Sequence, residues 1–300
     1  MNGKKQFETR GCGLLVRAPA KINLSLLVAG KRPDGFHELE TIMAKINWCD
    51  EVLIQPGTKP DIELICKGPE WAPEGQDNLV YKAARLLLDA CGRSADISIT
   101  LTKNIPAGSG LGSASSDAAA TLIGLNQYLE TNLRRADLQK LAALLGSDVP
   151  FFLNGPLAFC TGKGDKIREL RKKFEFLALL ILPDVSVSTK TVYANYTHDR
   201  NVYVSLSSRI KQHILEYRID LVAKMCANML EKICFGLESD LAELKAEVES
   251  LGIAPCCLSG SGSAMFCIIE SADERKAVQY QQTIRRETGC RSIIVRNNKW

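Results

Sequence analysis

Asn104-Ile105-Pro106-Ala107-Gly108-Ser109-Gly110-Leu111-Gly112-Ser113-Ala114-Ser115-Ser116-Asp117 decides how this chain is read. Just before it, residues 96–102 alternate, with Ile97, Ile99 and Leu101 on one face, which predicts a strand. Just after it, an alanine-rich run predicts a helix over 115–129. Gly108, Gly110 and Gly112 let the backbone turn sharply and come close to a ligand. A helix N-terminus offers unpaired N–H groups and the positive end of a dipole, so a glycine loop feeding one is a phosphate cradle. Ser109, Ser113, Ser115 and Ser116 add hydroxyls for phosphate oxygens or a metal.

Two common cradles do not fit. A Walker A loop closes on Gly-Lys-Ser/Thr, and this loop has no lysine. A dinucleotide fingerprint needs a third glycine where Ser113 stands, an early strand and a later ribose-binding acid. On spacing alone a plain linker is the alternative; the bounding strand and helix and the density of hydroxyls weigh against it.

The chain has 300 residues, enough for one large domain or two ordinary ones. With 46% hydrophobic and 24% charged residues it reads as an average soluble globular protein with a sizeable core. A net charge of +4 is too mild to argue for nucleic acid. The clusters Arg171-Lys172-Lys173 and Arg285-Arg286 read as solvated faces. There are 11 cysteines, no Cys-x-x-Cys pair and 3 histidines, so no metal site is expected from these residues. The cysteines, Cys256-Cys257 included, read as reduced small hydrophobes of a cytoplasmic protein. No signal-like apolar core opens the chain, and the longest apolar run, 176–182, is too short to span a bilayer.

In order along the chain, residues 1–11 read as frayed. Residues 14–18 and 22–28 read as strands parted by Pro19-Ala20-Lys21, which puts Lys21 at a junction. On its own Lys21 is a surface lysine. The turn 31–37 delivers Phe36 and His37 to a strand over 38–46. They are a strand start or an aromatic platform. Two short strands follow within 48–66, broken at Pro56-Gly57. Asn78 caps a helix stopped by Gly92, and Asp137 caps one that ends at Gly146. Asp148 then precedes an apolar strand, as a turn aspartate or a functional acid. Thr161-Gly162-Lys163-Gly164-Asp165 is a turn, and 176–182 a buried strand. Residues 185–196 form a loop or short helix that sets Tyr193 and Tyr196 on one face, as core or rim aromatics. Residues 207–251 are mainly helical, with Asp240 as a cap. A second glycine loop, 257–263, feeds a strand over 264–269. Ser271-Ala272-Asp273-Glu274 is a capping box for the last helix, and 292–296 the last strand.

Three separated segments share one resemblance: Pro19-Ala20-Lys21-Ile22-Asn23-Leu24, residues 106–116, and Leu258-Ser259-Gly260-Ser261-Gly262-Ser263 resemble the three motifs of the GHMP kinases. Within that family Arg32-Pro33-Asp34-Gly35-Phe36-His37 and Gly146-Ser147-Asp148-Val149-Pro150 resemble the branch that phosphorylates a cytidyl-linked methylerythritol. The resemblance runs from about Leu14 to Arg296, in order. It implies an α+β, two-domain architecture, each domain a mixed or antiparallel sheet packed with helices, with the active site in the cleft between them. The implied division is 1–160 for ATP binding and 161–300 for the C-terminal domain. It implies ATP and Mg2+ as cofactors and a small-molecule partner, not nucleic acid or membrane. By position, Lys21 and Asp148 match the catalytic pair, and Pro106 through Ser116 match the ATP phosphate loop. Phe36, His37 and Tyr193 match the cytosine pocket, Asn23 a polar residue near the substrate, and Asn78 a residue near the adenine.

The residue chemistry agrees with those roles. A tertiary alcohol needs a carboxylate to take its proton, and a lysine beside that carboxylate keeps it ionised and offsets charge at the transferring group. A flat base with a donor beside an acceptor suits aromatic faces with a hydrogen-bonding neighbour. There are departures. Phe36 stands where the family has tyrosine, Asp117 where asparagine is common, and Ala114 where glycine or serine is found. Asp117 puts negative charge near the phosphates unless magnesium or a lysine compensates, or it points away. Other acceptors of this family (mevalonate, homoserine, a sugar) carry no cytosine for Phe36 and His37 to read. A non-catalytic binding protein would not need an intact Lys21, Asp148 and both glycine loops.

Overall fold

The computed structural model describes residues 5–170 and 174–300; the Arg171-Lys172-Lys173 cluster therefore lies outside the described residues. Three strands open the chain: β1 (Phe7–Arg10), β2 (Gly13–Lys31) and β3 (His37–Pro56). Then come β4 (Ile62–Lys67), α1 (Leu79–Ala90), β5 (Ile97–Thr102), α2 (Ser113–Tyr128), α3 (Arg135–Leu145), α4 (Val149–Phe152), β6 (Leu157–Gly162) and β7 (Lys166–Glu169). The seven strands form one sheet along the path β1-β2-β3-β5-β4. β5 pairs with residues 51–56 of β3 and β6 with residues 39–44, and β7 pairs only with β6. Only the β4–β5 pair is parallel, so the sheet is mixed.

The rest of the chain supplies β8 (Leu177–Leu182), α5 (Thr189–Ala194), α6 (Arg200–Leu215), α7 (Ile219–Met225), α8 (Glu231–Leu237), α9 (Ser239–Ser250), β9 (Cys257–Leu258), β10 (Met265–Ile269), α10 (Glu274–Glu287) and β11 (Arg291–Arg296). Its strands form an antiparallel sheet in the order β11-β8-β10-β9. The expected α+β class is borne out, with helices packed on both sheets.

β2 and β3 are each a single long strand, where two short ones were expected on either side of Pro19 and of Asn47. Pro19 is tolerated because the ladder slips between Pro19 and Lys21, where no donor is demanded of it. β2 stays buried from Gly13 to Val28 because both its faces are covered. Val16 and Ala18 join the core under α1 and α2, while Ala20, Ile22 and Leu24 join one built with β8, α6 and α7. That continuity carries Lys21 rigidly from one core to the other.

Several ends shift. Residues 7–10 form β1 rather than a frayed tail. Asn78 caps α1 as expected, its Oδ1 accepting from the Val80 N–H at 2.9 Å. Asp137 and Asp240 lie inside the first turns of α3 and α9 rather than at their caps. The last helix is capped by Asp273, which accepts from the N–H groups of Arg275 and Lys276; Ser271 sits apart at φ +55°. Residues 149–152 are one turn of helix, not a strand, since Pro150 suits a first turn and costs no hydrogen bond there. The cysteines are not all isolated: the fold brings Cys226 and Cys257 together, with Cα atoms 5.0 Å apart, within reach of a disulfide.

Candidate active site

Lys21 sits where β2 slips register. Its N–H donates to the Leu111 carbonyl at 3.0 Å, which ties the strand to the glycine loop. Its Nζ donates to Asn23 Oδ1 and to the Gly110 carbonyl, each at 2.6 Å. Asp148 Oδ2 stands 3.9 Å from the same Nζ. Burial pushes the Lys21 ammonium below the usual lysine range, and the charge of Asp148 partly holds it up. Asp148 precedes α4 directly and keeps 35% of its side chain exposed, so one face remains open to a ligand.

Gly108, Gly110 and Gly112 all take the left-handed backbone, with φ of +70°, +75° and +69°. At Gly110 the freedom is also spatial: a Cβ would overlap the Ser259 carbonyl oxygen and lie 2.9 Å from that of Gly262. The two glycine loops thus abut backbone to backbone. Ala264 donates to the Ser109 carbonyl at 3.0 Å, and Ser259 Oγ donates to the Gly110 carbonyl at 3.1 Å. Gly112 is the N-cap of α2, so the first amides of that helix open beside Ser113, Ala114 and Ser115.

The four hydroxyls divide. Ser109 donates to the Pro106 carbonyl at 2.7 Å. Ser113 turns inward to Lys103 and Asp50. Ser115 lines the cleft; Ser116 does not, and its buried hydroxyl has no hydrogen-bond partner among the described residues. Asp117 is compensated by a lysine, one of the outcomes the sequence left open: Lys103 Nζ donates to Asp117 Oδ2 at 2.7 Å and also to Asp50. Burial would lower the Lys103 ammonium, but Asp117 and Asp50 outweigh it and hold the ammonium up. Sequence reading missed this cluster. Lys103 adjoins the loop, but Asp50 lies 53 positions away and arrives only through the β3–β5 pairing.

At the other end of the cleft, His37 lies under Tyr193, ring centroids 5.1 Å apart and tilted by 31°. Tyr196 meets His37 edge-on at 5.8 Å, and Lys163 Nζ stands 4.7 Å from the centroid of Phe36. Phe36 is 52% exposed, an open apolar face on the rim. Burial, then Lys31 and His198, pushes the His37 imidazolium down and favours the neutral ring. Tyr196 and Lys163 are lining residues to which the sequence assigned no role; the tyrosine spacing was the only signal. Asn23 is buried between Lys21 and Thr41 Oγ1, the latter at 2.8 Å from its Nδ2. Asn78 is absorbed in its cap and in a bond to the Pro73 carbonyl at 2.7 Å, and does not line the cleft.

One cleft of about 830 Å³ therefore gathers Lys21, Asn23, Phe36, His37, residues 106–115, Asp148 and Tyr193. Its charged lining is Lys21, Lys31, Lys163 and Lys190 against Asp148, which suits polyanions. Among the described residues no three His, Cys, Asp or Glu side chains cluster to hold a metal. None of the described helices is long and apolar enough to cross a membrane.

Comparison with known proteins converges with this geometry. Residues 78–156 match the GHMP kinases N terminal domain and residues 212–282 the GHMP kinases C terminal domain. A 4-diphosphocytidyl-2-C-methyl-D-erythritol kinase of Geobacillus sp. (strain WCH70) is 38% identical over 259 residues, 86% of this chain and 88% of that one. The crystal structure of a 4-(cytidine 5'-diphospho)-2C-methyl-D-erythritol kinase superposes with a TM-score of 0.74 at 31% identity, covering 95% of this chain and 99% of that one. A homoserine kinase from Cytophaga hutchinsonii also reaches 0.74, but at 20% identity, over 99% of this chain and 98% of that one. The same backbone fold therefore occurs in both structures.

Proposed function

The chain belongs to the GHMP kinase family, on the branch of the 4-diphosphocytidyl-2-C-methyl-D-erythritol kinases, and we propose that Lys21, Asp148 and the two glycine loops carry its phosphoryl transfer. The reaction is ATP-dependent phosphorylation of the 2-hydroxyl of 4-diphosphocytidyl-2-C-methyl-D-erythritol, which gives the 2-phosphate and ADP. It belongs to the non-mevalonate route to isoprenoid precursors. The observation that supports this division of roles best is the cleft itself. It sets a lysine–aspartate pair and a phosphate cradle at one end and an aromatic–histidine pocket at the other.

Pro106 to Ser116 and the first amides of α2 bind the ATP phosphates, with the dipole of a 16-residue helix behind them. Asp148 accepts the proton of the 2-hydroxyl as that oxygen attacks the γ-phosphorus. Lys21, held by Asn23 and Gly110, keeps Asp148 ionised and faces the charge that develops on the transferring group. His37 and Tyr193, packed ring against ring, offer the cytosine a face from one side, and Phe36 offers its face from the rim; a ring without the phenol hydroxyl still stacks. Neutral His37 keeps one donor and one acceptor for the base edge. Magnesium fits the site as an ion carried by phosphate: the Ser115 hydroxyl at the start of α2, which lines the cleft, is an oxygen ligand of the kind it takes. When bound it supplies charge neutralisation on the phosphates. The division into a 1–160 ATP-binding unit and a 161–300 unit belongs to the same proposal, as does a cytoplasmic setting. The change of sheet between β7 and β8 supports two units, but it keeps β6 and β7 on the first sheet, so a cut at 160 would split β6.

ADP release from ATP and magnesium tests the reading, with the cytidyl-methylerythritol substrate, mevalonate, homoserine and galactose offered in parallel. Turnover with the first alone is expected. Turnover with another would overturn the cytosine pocket while keeping the transfer chemistry. Asp148→Asn should cost about 10²- to 10⁴-fold in turnover and leave ATP binding within twofold of the parent. Near-normal turnover by the folded variant would remove Asp148 as the base.

A further inference from the structure

Lys45 is among the largest of the fully buried side chains, at 1% exposure, and it belongs to no motif. On β3 it is the ladder partner of Lys21 on β2. Among the described residues it makes no ion pair with a carboxylate. Its Nζ instead donates to the Phe152 carbonyl at 3.0 Å and to the Asn154 carbonyl at 2.7 Å, with the Phe151 ring centroid 5.9 Å away. An unpaired ammonium in the core is expensive, and an apolar side chain of the same length would pack more cheaply. What the lysine does there is therefore read from what it holds.

It holds the far end of α4. The Pro150 and Phe151 carbonyls of α4 accept from the N–H groups of Leu153 and Asn154, at 3.2 and 3.0 Å, but the last carbonyls of a helix have no such helical partners. Lys45 takes one of them, and takes Asn154, whose own Nδ2 donates back to the Pro150 carbonyl at 2.6 Å. At the near end, the Asp148 carbonyl accepts from the Phe151 N–H at 3.2 Å. On the side facing the phosphate loop, a Cβ on Gly112 would lie 3.0 Å from the Phe152 ring and 3.1 Å from the Lys21 stem. So α4 is a short rigid block with Asp148 on its front edge, Phe152 under the cradle, and Lys45 as the peg behind it. We propose that Lys45 is a positioning residue, a buried amine that pins the C-terminal carbonyls of α4 and so fixes the reach of Asp148 toward Lys21 and the acceptor hydroxyl. An amine donates in either protonation state, so the peg works with or without the charge. The inference rests on the reading of Asp148 as the base.

Lys45→Met keeps the apolar stem and removes the donors; Lys45→Gln restores an N–H donor on a shorter side chain. At saturating substrates the Met variant should lose at least tenfold in kcat per folded site, because displacement of a reacting group by about 1 Å can cost on the order of 10²-fold. KM for ATP should stay within twofold, and the Gln variant should recover part of kcat. Amide exchange at Phe151, Leu153 and Asn154 should speed up in the Met variant while β2 and α2 stay protected. Unchanged kcat in folded Lys45→Met overturns the proposal. So does a loss shared equally by kcat, ATP affinity and global stability, which a merely structural lysine would give. Asp148→Asn run beside it separates the two readings. If that variant still turns over, the role of Asp148 falls; if it is dead while Lys45→Met is normal, only the peg falls.

Discussion

Lys103→Met is the substitution for which the structure makes the sharpest prediction. Lys103 is 3% exposed and faces two carboxylates, Asp50 at 0% and Asp117 at 2%. Asp50 has further support, since its Oδ1 accepts from the N–H groups of Asn104 at 2.6 Å and Ile105 at 2.9 Å. Asp117 has less: its Oδ1 is buried without a hydrogen-bond partner among the described residues, and burial, with Asp50 beside it, raises its pKa well above the usual range against the opposing charge of Lys103. Removing the lysine strands both acids in the interior. Breaking one buried pair in this way costs about 3–5 kcal/mol. Total stability is roughly 5–15 kcal/mol, so the variant should lose a large part of it. Asp117→Asn should do the opposite. The folded pKa of Asp117 lies above its unfolded value, so this group stabilises the fold at low pH and costs stability as pH rises through the folded pKa. At pH 7 the amide removes that cost, and the single variant should be neutral or more stable. In Lys103→Met/Asp117→Asn only Asp50 is left unpaired, and at least about 1 kcal/mol should return relative to Lys103→Met. Urea titration of the four proteins at pH 7 measures all of this. A Lys103→Met loss under about 1 kcal/mol would refute the claim that this lysine neutralises the acids beneath the phosphate loop.

Other outcomes follow from the same geometry. Gly110→Ala forces a side chain into a left-handed position against the Ser259 carbonyl. It should cost about 2–4 kcal/mol in stability and lower turnover at least about tenfold, read by melting and by ADP release. His37→Ala removes the ring packed on Tyr193. A loss of about 0.5–1.5 kcal/mol would weaken the cytidyl substrate by about two- to twelvefold and leave ATP within twofold; equal losses for both ligands would count against a base-reading role. Lys45 is brought down to about 7, first by burial, then by Arg135, with Glu169 and Cys49 opposing. The unfolded chain keeps that proton to about pH 10.4, so this group makes stability rise with pH between about 7 and 10.4, by at most about 1.4 kcal/mol per pH unit. Lys45→Met should flatten that slope relative to the parent, and identical slopes in the two proteins would contradict the burial.

Much of the site was legible because its chemistry needs residue types that stand out locally. Glycines at 108, 110 and 112 between an alternating strand and an alanine-rich run mark a loop feeding a helix, and the structure has that helix from Ser113. Lys21, Asp148, Phe36 and His37 each sat in a short motif, Tyr193 was matched by position alone, and the fold brings all five to one cleft. Element boundaries were less legible. Pro19 looked like a strand break, yet a register slip absorbs it; Val149-Pro150-Phe151-Phe152 looked like a strand, yet is a helical turn. Apolar runs that short carry no period by which helix and strand can be told apart.

What the sequence singled out by itself was the set of groups proposed to touch ligands, since a glycine loop, a motif aspartate and an aromatic–histidine turn are written in contiguous residues. What only the tertiary structure decided was how those groups are held. Asp50, Lys103 and Asp117 meet because β3 and β5 pair, Tyr196 reaches His37 because α5 folds over the cleft, and Lys45 reaches α4 across 107 positions. The desolvation and charge that set their protonation depend on neighbours far away in the chain. Local pattern cannot encode such neighbours; only the packed sheet brings them within a few ångströms.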